Sequence, residues 1–262
     1  MRSLAKWSLR KLGWELRRLS AITPAPPGAE NFNDLSPEER EILRRVAPFT
    51  MTSRERLAAL VGSIRYLVHH RIPGDIVECG VWRGGSMMAA ALALRTAGDV
   101  SRTLHLFDTF EGMPPPGESD FSIDAEHASV PLARDPKGTG VWCEASLDDV
   151  RANVATVDYP PDRVRFVQGK VEDTLPAHSP DRIALLRLDT DWFESTRHEL
   201  HHLFPLLQPG GILIIDDYGH WSGARRAVDE YLARLPYPTF LHRVDYTGRV
   251  LVKPPAMPTS PP

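Results

Sequence analysis

The chain has 262 residues, 42% hydrophobic and 25% charged, with a net charge of −3. That is enough for one full α/β domain with additions, and too balanced to carry the positive field of a nucleic-acid binder. Cys79 and Cys143, the two cysteines, form neither a disulfide framework nor a metal-type spacing, no apolar run approaches the ~20 residues of a membrane span, and a reducing cytoplasm is the expected setting.

Residues 1–30 read as a basic amphipathic helix followed by a linker. Leu9, Leu12, Leu16 and Leu19 recur at helical spacing among arginines and lysines, and the charges break the apolar core that a signal peptide needs. Three readings stay open for this helix: packing on the domain or a partner subunit, a weak contact with a membrane surface, or a frayed arm. Ser36-Pro37-Glu38-Glu39 and Thr52-Ser53-Arg54-Glu55 are capping-box helix starts. Their helices fill 31–73, ahead of the first strand, and are expected to cap the sheet.

Asp75 to Ser86 reads as a strand, a glycine-rich turn and a helix start. Glycines permit close backbone approach to a ligand, and the free N–H groups of a helix start suit an anion. Thr103 to Asp108 is a second strand ending in an acid, placed to accept hydrogen bonds from ribose hydroxyls. Residues 112–145 are rich in Pro, Gly and Asp, lack periodicity, and read as a lid over the ligand edge. Val164 to Gly169 is a third strand, with Asp173 just beyond it.

The most informative stretches are Ala184–Thr196 and Gly211–His220. Each is an apolar run of strand length ending in paired aspartates, as expected of strands covered on both faces of a parallel sheet. A helix between them makes a βαβ unit, so the two strands can be neighbours. Pairing them gathers Asp189, Asp216 and Asp217 at the carboxyl edge. Their repulsion is removed most simply by a hard divalent cation with oxygen ligands, Mg²⁺ foremost. Within the intervening helix, His198-Glu199-Leu200-His201-His202 matches a zinc-protease pattern. Burying Leu200, Leu203 and Phe204 turns both terminal histidines outward, so the match is a decoy. Phe240–Val244 and Arg249–Val252 close the sheet as a hairpin, and 254–262 is expected to be a disordered tail.

Four phrases resemble the macrocin-type (TylF/MycF/NovP-like) sugar O-methyltransferases: Val77–Ser86, Phe107–Pro114, Leu188–Thr196 and Gly210–Tyr218. The resemblance spans about residues 36 to 253. It implies an α/β fold, doubly wound, with a mostly parallel seven-stranded sheet and an antiparallel C-terminal hairpin, the class I methyltransferase arrangement. It further implies Mg²⁺-dependent transfer of a methyl group from S-adenosylmethionine to a hydroxyl of a sugar, on a glycosylated natural product or a saccharide, by a homo-oligomer; the 26 Arg against 5 Lys separately suggest a GC-rich bacterial genome. Carried over by residue, Glu78, Gly80, Ser86, Asp108 and Asp173 hold the cofactor, Asp189, Asp216 and Asp217 hold the metal, and Asp191 is the general base. His220 rivals it, since an ordinary imidazole titrates near neutrality. Trp192, Tyr218, His220 and Trp221 are expected to floor the sugar site. A metal-dependent methyltransferase acting on a catechol-type diol is the alternative.

Overall fold

Five apolar runs pair in parallel: β1 (Asp75–Cys79), β2 (Leu104–Asp108), β3 (Val164–Gln168), β4 (Ile183–Leu188) and β5 (Leu207–Ile215). The computed structural model describes residues 32–134 and 142–255. The chain divides into two compact units, 1–36 and 37–262, and the sheet and its helices belong to the second. The basic amphipathic stretch, residues 135–141 of the expected lid and the tail beyond 255 lie outside the described residues.

The sheet has seven strands in the order β3-β2-β1-β4-β5-β7-β6. β7 (Arg249–Val252) runs antiparallel to β5 and to the two-residue β6 (His242–Arg243), as two strands joined by a hairpin must. The order reverses between β1 and β4, which places the ligand crevice of an open α/β sheet at their carboxyl ends. The backbone ladder continues past the strands there: Asp189 N–H donates to Cys79 O at 2.8 Å and Asp216 N–H to Leu188 O at 3.0 Å. Strand pairing therefore delivers the aspartates side by side, as the apolar runs imply.

On one face, α1 (Pro37–Val46) and α2 (Arg54–His69) pack on α3 (Gly85–Thr96), and α2 also reaches β4 and β5. The alanine run Ala89-Ala90-Ala91 of α3 is fully buried, which lets the helices above approach closely. α2 begins one residue later than the capping box suggests. Ser53 is its N-cap, accepting from Arg56 N–H at 3.2 Å, and Thr52 is left to face the sheet. The other face carries α7 (Phe193–Leu203) and α8 (Ser222–Leu232), after the short helices α4 (Ser129–Arg134), α5 (Leu147–Ala155) and α6 (Val171–Thr174). Leu200, Leu203 and Phe204 join the core with Leu186, Leu213 and Ile215. β5 starts at Leu207, four residues before the apolar run at Gly211. Its glycines sit where the register to β4 shifts, and Gly210 takes φ +78°. A bulge of this kind hides a strand from pattern reading.

Candidate active site

A cavity of about 530 Å³ opens at the carboxyl edge, within the range of small-molecule sites. Its β1 wall is the glycine turn. Gly80 holds φ +82°, and a Cβ there would collide with Asp189 O, so only glycine fits. Ser86 and Asp108 also line the cavity. Asp108 Oδ2 accepts from Val81 N–H (2.6 Å) and Trp82 N–H (3.0 Å), and Oδ1 from Phe110 N–H (2.8 Å). Burial raises its pKa while those amides work in the opposite direction.

Glu78 and Asp173 stand elsewhere than the resemblance implies. Glu78 is fully buried behind the wall, where its Oε1 accepts from Arg187 at 2.6 Å. Asp173 is exposed and outside the cavity. Its neighbour Glu172 does line the cavity, with Gly169, Lys170 and Val171, and accepts from Ser195 Oγ at 2.7 Å.

Across the crevice, oxygens of Asp189, Asp216 and Asp217 lie within 4.8 Å of one another. The expectation that these charges stand uncancelled needs correction. Arg187 projects from near the carboxyl end of β4 and bridges three acids. Its Nη1 donates to Glu78 and to Asp189 Oδ2 (2.5 Å), and its Nη2 to Asp216 Oδ1 and Thr52 Oγ1 (2.8 Å). Arg56, from α2, pairs with Asp216 Oδ2 and, at 3.0 Å, with Asp245. Two guanidiniums thus answer Asp216. Neither hydrogen-bonds Asp217, whose Oδ2 is enclosed with no hydrogen-bond partner among the described residues. Burial and then Asp189 push Asp191 up to about 7, while burial and then Asp191 push Asp217 well up. The two carboxyls interact, so their protons belong to the pair rather than to either residue. The orphaned oxygen and the all-carboxylate donor set fit a hard divalent ion.

Asp191 lines the cavity at φ +65°, a backbone state that costs an ordinary residue of order 1 kcal/mol and that Asp tolerates better than most. Trp221 lines the same cavity. His220 lines the cavity as well, against Trp221 and Tyr246, and burial lowers its pKa, keeping it a neutral acceptor.

The aromatic floor holds in part. Trp192 is buried, donates to Pro114 O at 2.9 Å and meets the Trp221 ring edge-on. Tyr218 is turned away: its hydroxyl donates to Asp229 at 2.7 Å and Arg249 lies over its ring. It contributes nothing to the cavity, because Asp217 and Tyr218, as sequence neighbours at a strand exit, point apart.

The segment after β2 closes over the cavity with Met113, Asp124, Glu126, Leu132 and Cys143. Asp120 fastens it, accepting from Gly117 N–H (2.7 Å) and from Phe193 N–H (2.8 Å) at the start of α7. No pattern marks Asp120 in the sequence. Arg187 is different: an arginine inside a strand otherwise buried on both faces is tolerated only when paired, so its presence in Ile183–Leu188 already signals a carboxylate cluster. The zinc-protease pattern remains a decoy. His198 and His202 lie ring to ring on the outside of α7 at 4.4 Å, while Glu199 points into the protein.

The strand order with β7 reversed, the glycine turn and the acid-ended β2 define the class I fold of S-adenosylmethionine-dependent methyltransferases. The family model described as macrocin O-methyltransferase (TylF) matches residues 33–253, and the chain belongs to that family. It is an O-methyltransferase. It is 39% identical over 199 residues (76% of this chain, 73% of the relative) to the 8-demethyl-8-(2,3-dimethoxy-α-L-rhamnosyl)-tetracenomycin-C 4'-O-methyltransferase of Streptomyces olivaceus. Demethyldecarbamoylnovobiocin O-methyltransferase of Streptomyces niveus is 34% identical over 229 residues, 85% of each chain. The solved structure of the O-methyltransferase NovP superposes with a TM-score of 0.70 at 32% identity, covering 79% of this chain and 83% of that one.

Proposed function

We propose that this enzyme methylates a hydroxyl of a sugar on a glycosylated natural product, with S-adenosylmethionine as donor and Mg²⁺ as the resident ion. The observation that carries this reading is the joining of the glycine turn and the aspartate cluster in one cavity. The tetracenomycin relative is named for a substrate that bears a rhamnosyl group, which favours a sugar over a catechol-type acceptor. Gly80, Ser86 and Asp108 would hold the cofactor. Glu78 supports that wall from behind through Arg187. Asp189, Asp216 and Asp217 would hold the ion, whose charge lowers the pKa of a bound hydroxyl. Asp191 takes the acceptor proton, with His220 as the second candidate. The lid and Trp192 exclude water and hold the acceptor against the donor, the positioning from which most of the rate derives. A homo-oligomer is part of this reading.

The test is incubation with S-adenosylmethionine and a panel of glycosides, with Mg²⁺ or with chelator, scored by mass for gain of one methyl group. Mg²⁺-dependent methylation of a glycoside supports the proposal. Equal turnover in chelator contradicts the metal assignment, and methylation of catechols alone contradicts the sugar.

A further inference from the structure

The turn of the closing hairpin does more than join β6 to β7. Asp245 Oδ1 accepts from Thr247 N–H (2.9 Å) and Gly248 N–H (2.6 Å), the bonds of an Asx turn. Its other oxygen faces the start of α2: Oδ2 accepts from the Ser53 hydroxyl at 2.7 Å and pairs with Arg56 Nε at 3.0 Å. The stem of Arg56 lies against Gly248, where a Cβ would stand 2.7 Å from Arg56 Cδ, so this approach needs a glycine. Thr247 ties the same turn to β5, donating its hydroxyl to Asp216 O at 2.8 Å.

The guanidinium held in this way reaches Asp216 Oδ2, while Arg187 holds Oδ1. Two cations therefore face one proposed ligand of the ion, and undivided they would spend the charge that a divalent ion needs. Arg187 is already shared with Glu78 and Asp189. Asp245 is the acid that shares Arg56, and with the two side chains only 14% and 11% exposed the pairing is weakly screened. We propose that Asp245 is the positioning residue for Arg56, and that by dividing this guanidinium between two carboxylates it leaves Asp216 the charge to bind the ion. The inference rests on the methyltransferase reading for the ion, though not for the contacts. Groups that orient or tune metal ligands typically alter metal affinity by about 10–100-fold when removed.

The test compares Asp245→Asn, Arg56→Met and the double variant with the wild type in the presence of S-adenosylhomocysteine. Mg²⁺ affinity and homocysteine-analogue affinity are read by calorimetry, and folding by thermal unfolding. Asparagine keeps an acceptor for the amides of the turn but loses the charge that draws on Arg56. Mg²⁺ should then bind about tenfold more weakly, with cofactor affinity unchanged. In the Arg56→Met background no guanidinium is left to divide, so adding Asp245→Asn should change Mg²⁺ affinity by less than about twofold. An equal loss in both backgrounds is the signature of long-range charge alone and overturns the proposal. Wild-type Mg²⁺ affinity in Asp245→Asn, with only the melting temperature lowered, reduces Asp245 to a turn builder and overturns it too. If Arg56→Met prevents folding, Gly248→Ala decides: it pushes the arginine off the turn with Asp245 in place, and should weaken Mg²⁺ binding as Asp245→Asn does, whereas wild-type affinity there contradicts the proposal. A wild type that binds the homocysteine analogue but no Mg²⁺ overturns this inference and leaves the methyltransferase assignment standing, whereas one that binds neither breaks the proposed function as well.

Discussion

The two walls of the crevice solve the burial of carboxylates in opposite ways. On the β1–β2 side, Asp108 receives three backbone N–H groups and its charge is answered by the protein alone. On the β4–β5 side, acids outnumber bases, Arg187 is shared among three of them, and Asp217 keeps an oxygen with no hydrogen-bond partner among the described residues. The first wall is finished without a ligand. The second is complete only when a proton or a cation joins it. Binding a nucleoside demands a rigid cradle and activating a hydroxyl demands unspent charge, so the difference follows the division of labour.

Removing the cation built into the unfinished wall should have the largest effect. Arg187→Met strands Glu78, Asp189 and Asp216 in the interior, and should cost about 3–5 kcal/mol in denaturant unfolding, with restored stability in the Glu78→Gln double variant sharpening the point. Asp191→Asn should leave binding of S-adenosylhomocysteine intact and lower turnover by about 10²–10⁴-fold, the usual worth of a general base. Unchanged turnover would pass that role to His220. Asp108→Asn breaks the finished wall instead. It should cost about 1.5–3 kcal/mol of stability, weaken cofactor affinity, and spare Mg²⁺ affinity.

The acid pair supplies a pH signature. Asp191 is raised from 3.8 to about 7 in the folded protein. Its contribution therefore favours the metal-free fold at acid pH, and is lost as pH rises from about 4 through about 7. A cation needs the same site deprotonated, so Mg²⁺ affinity should fall by up to about tenfold per unit as pH drops below 7. Melting curves and calorimetry across that range, with and without Mg²⁺, should show opposite slopes. The smallest effect belongs outside the crevice: Tyr218→Phe should cost about 1 kcal/mol, from its bond to Asp229, and leave turnover unchanged.

Sequence pattern carried the strands, their pairing and the meeting of the aspartates, because an apolar run ended by acids suits a buried strand at a ligand edge and little else. It carried less where one residue's direction decides the outcome. Thr52 and Ser53 both satisfy a capping rule, and the helix starts at the second, releasing Thr52 to Arg187. Tyr218 follows Asp217 directly yet faces the opposite way. Asp173 and Glu172 share one short turn, and only Glu172 lines the cavity. Asp120 and Arg56 reach the site from distant segments, through contacts that no local period encodes. Arg187 was legible in principle, as a charge in a strand with no solvent face.

The decisive measurement for the unfinished wall is calorimetric titration of Mg²⁺ into the S-adenosylhomocysteine complex, for the wild type and Asp217→Asn side by side. A cation site built on these aspartates predicts a single saturable site in the wild type, with proton release near neutral pH, and no such site in the variant. Identical titrations for the two proteins, or no Mg²⁺ binding by a wild type that holds the homocysteine analogue, would contradict it.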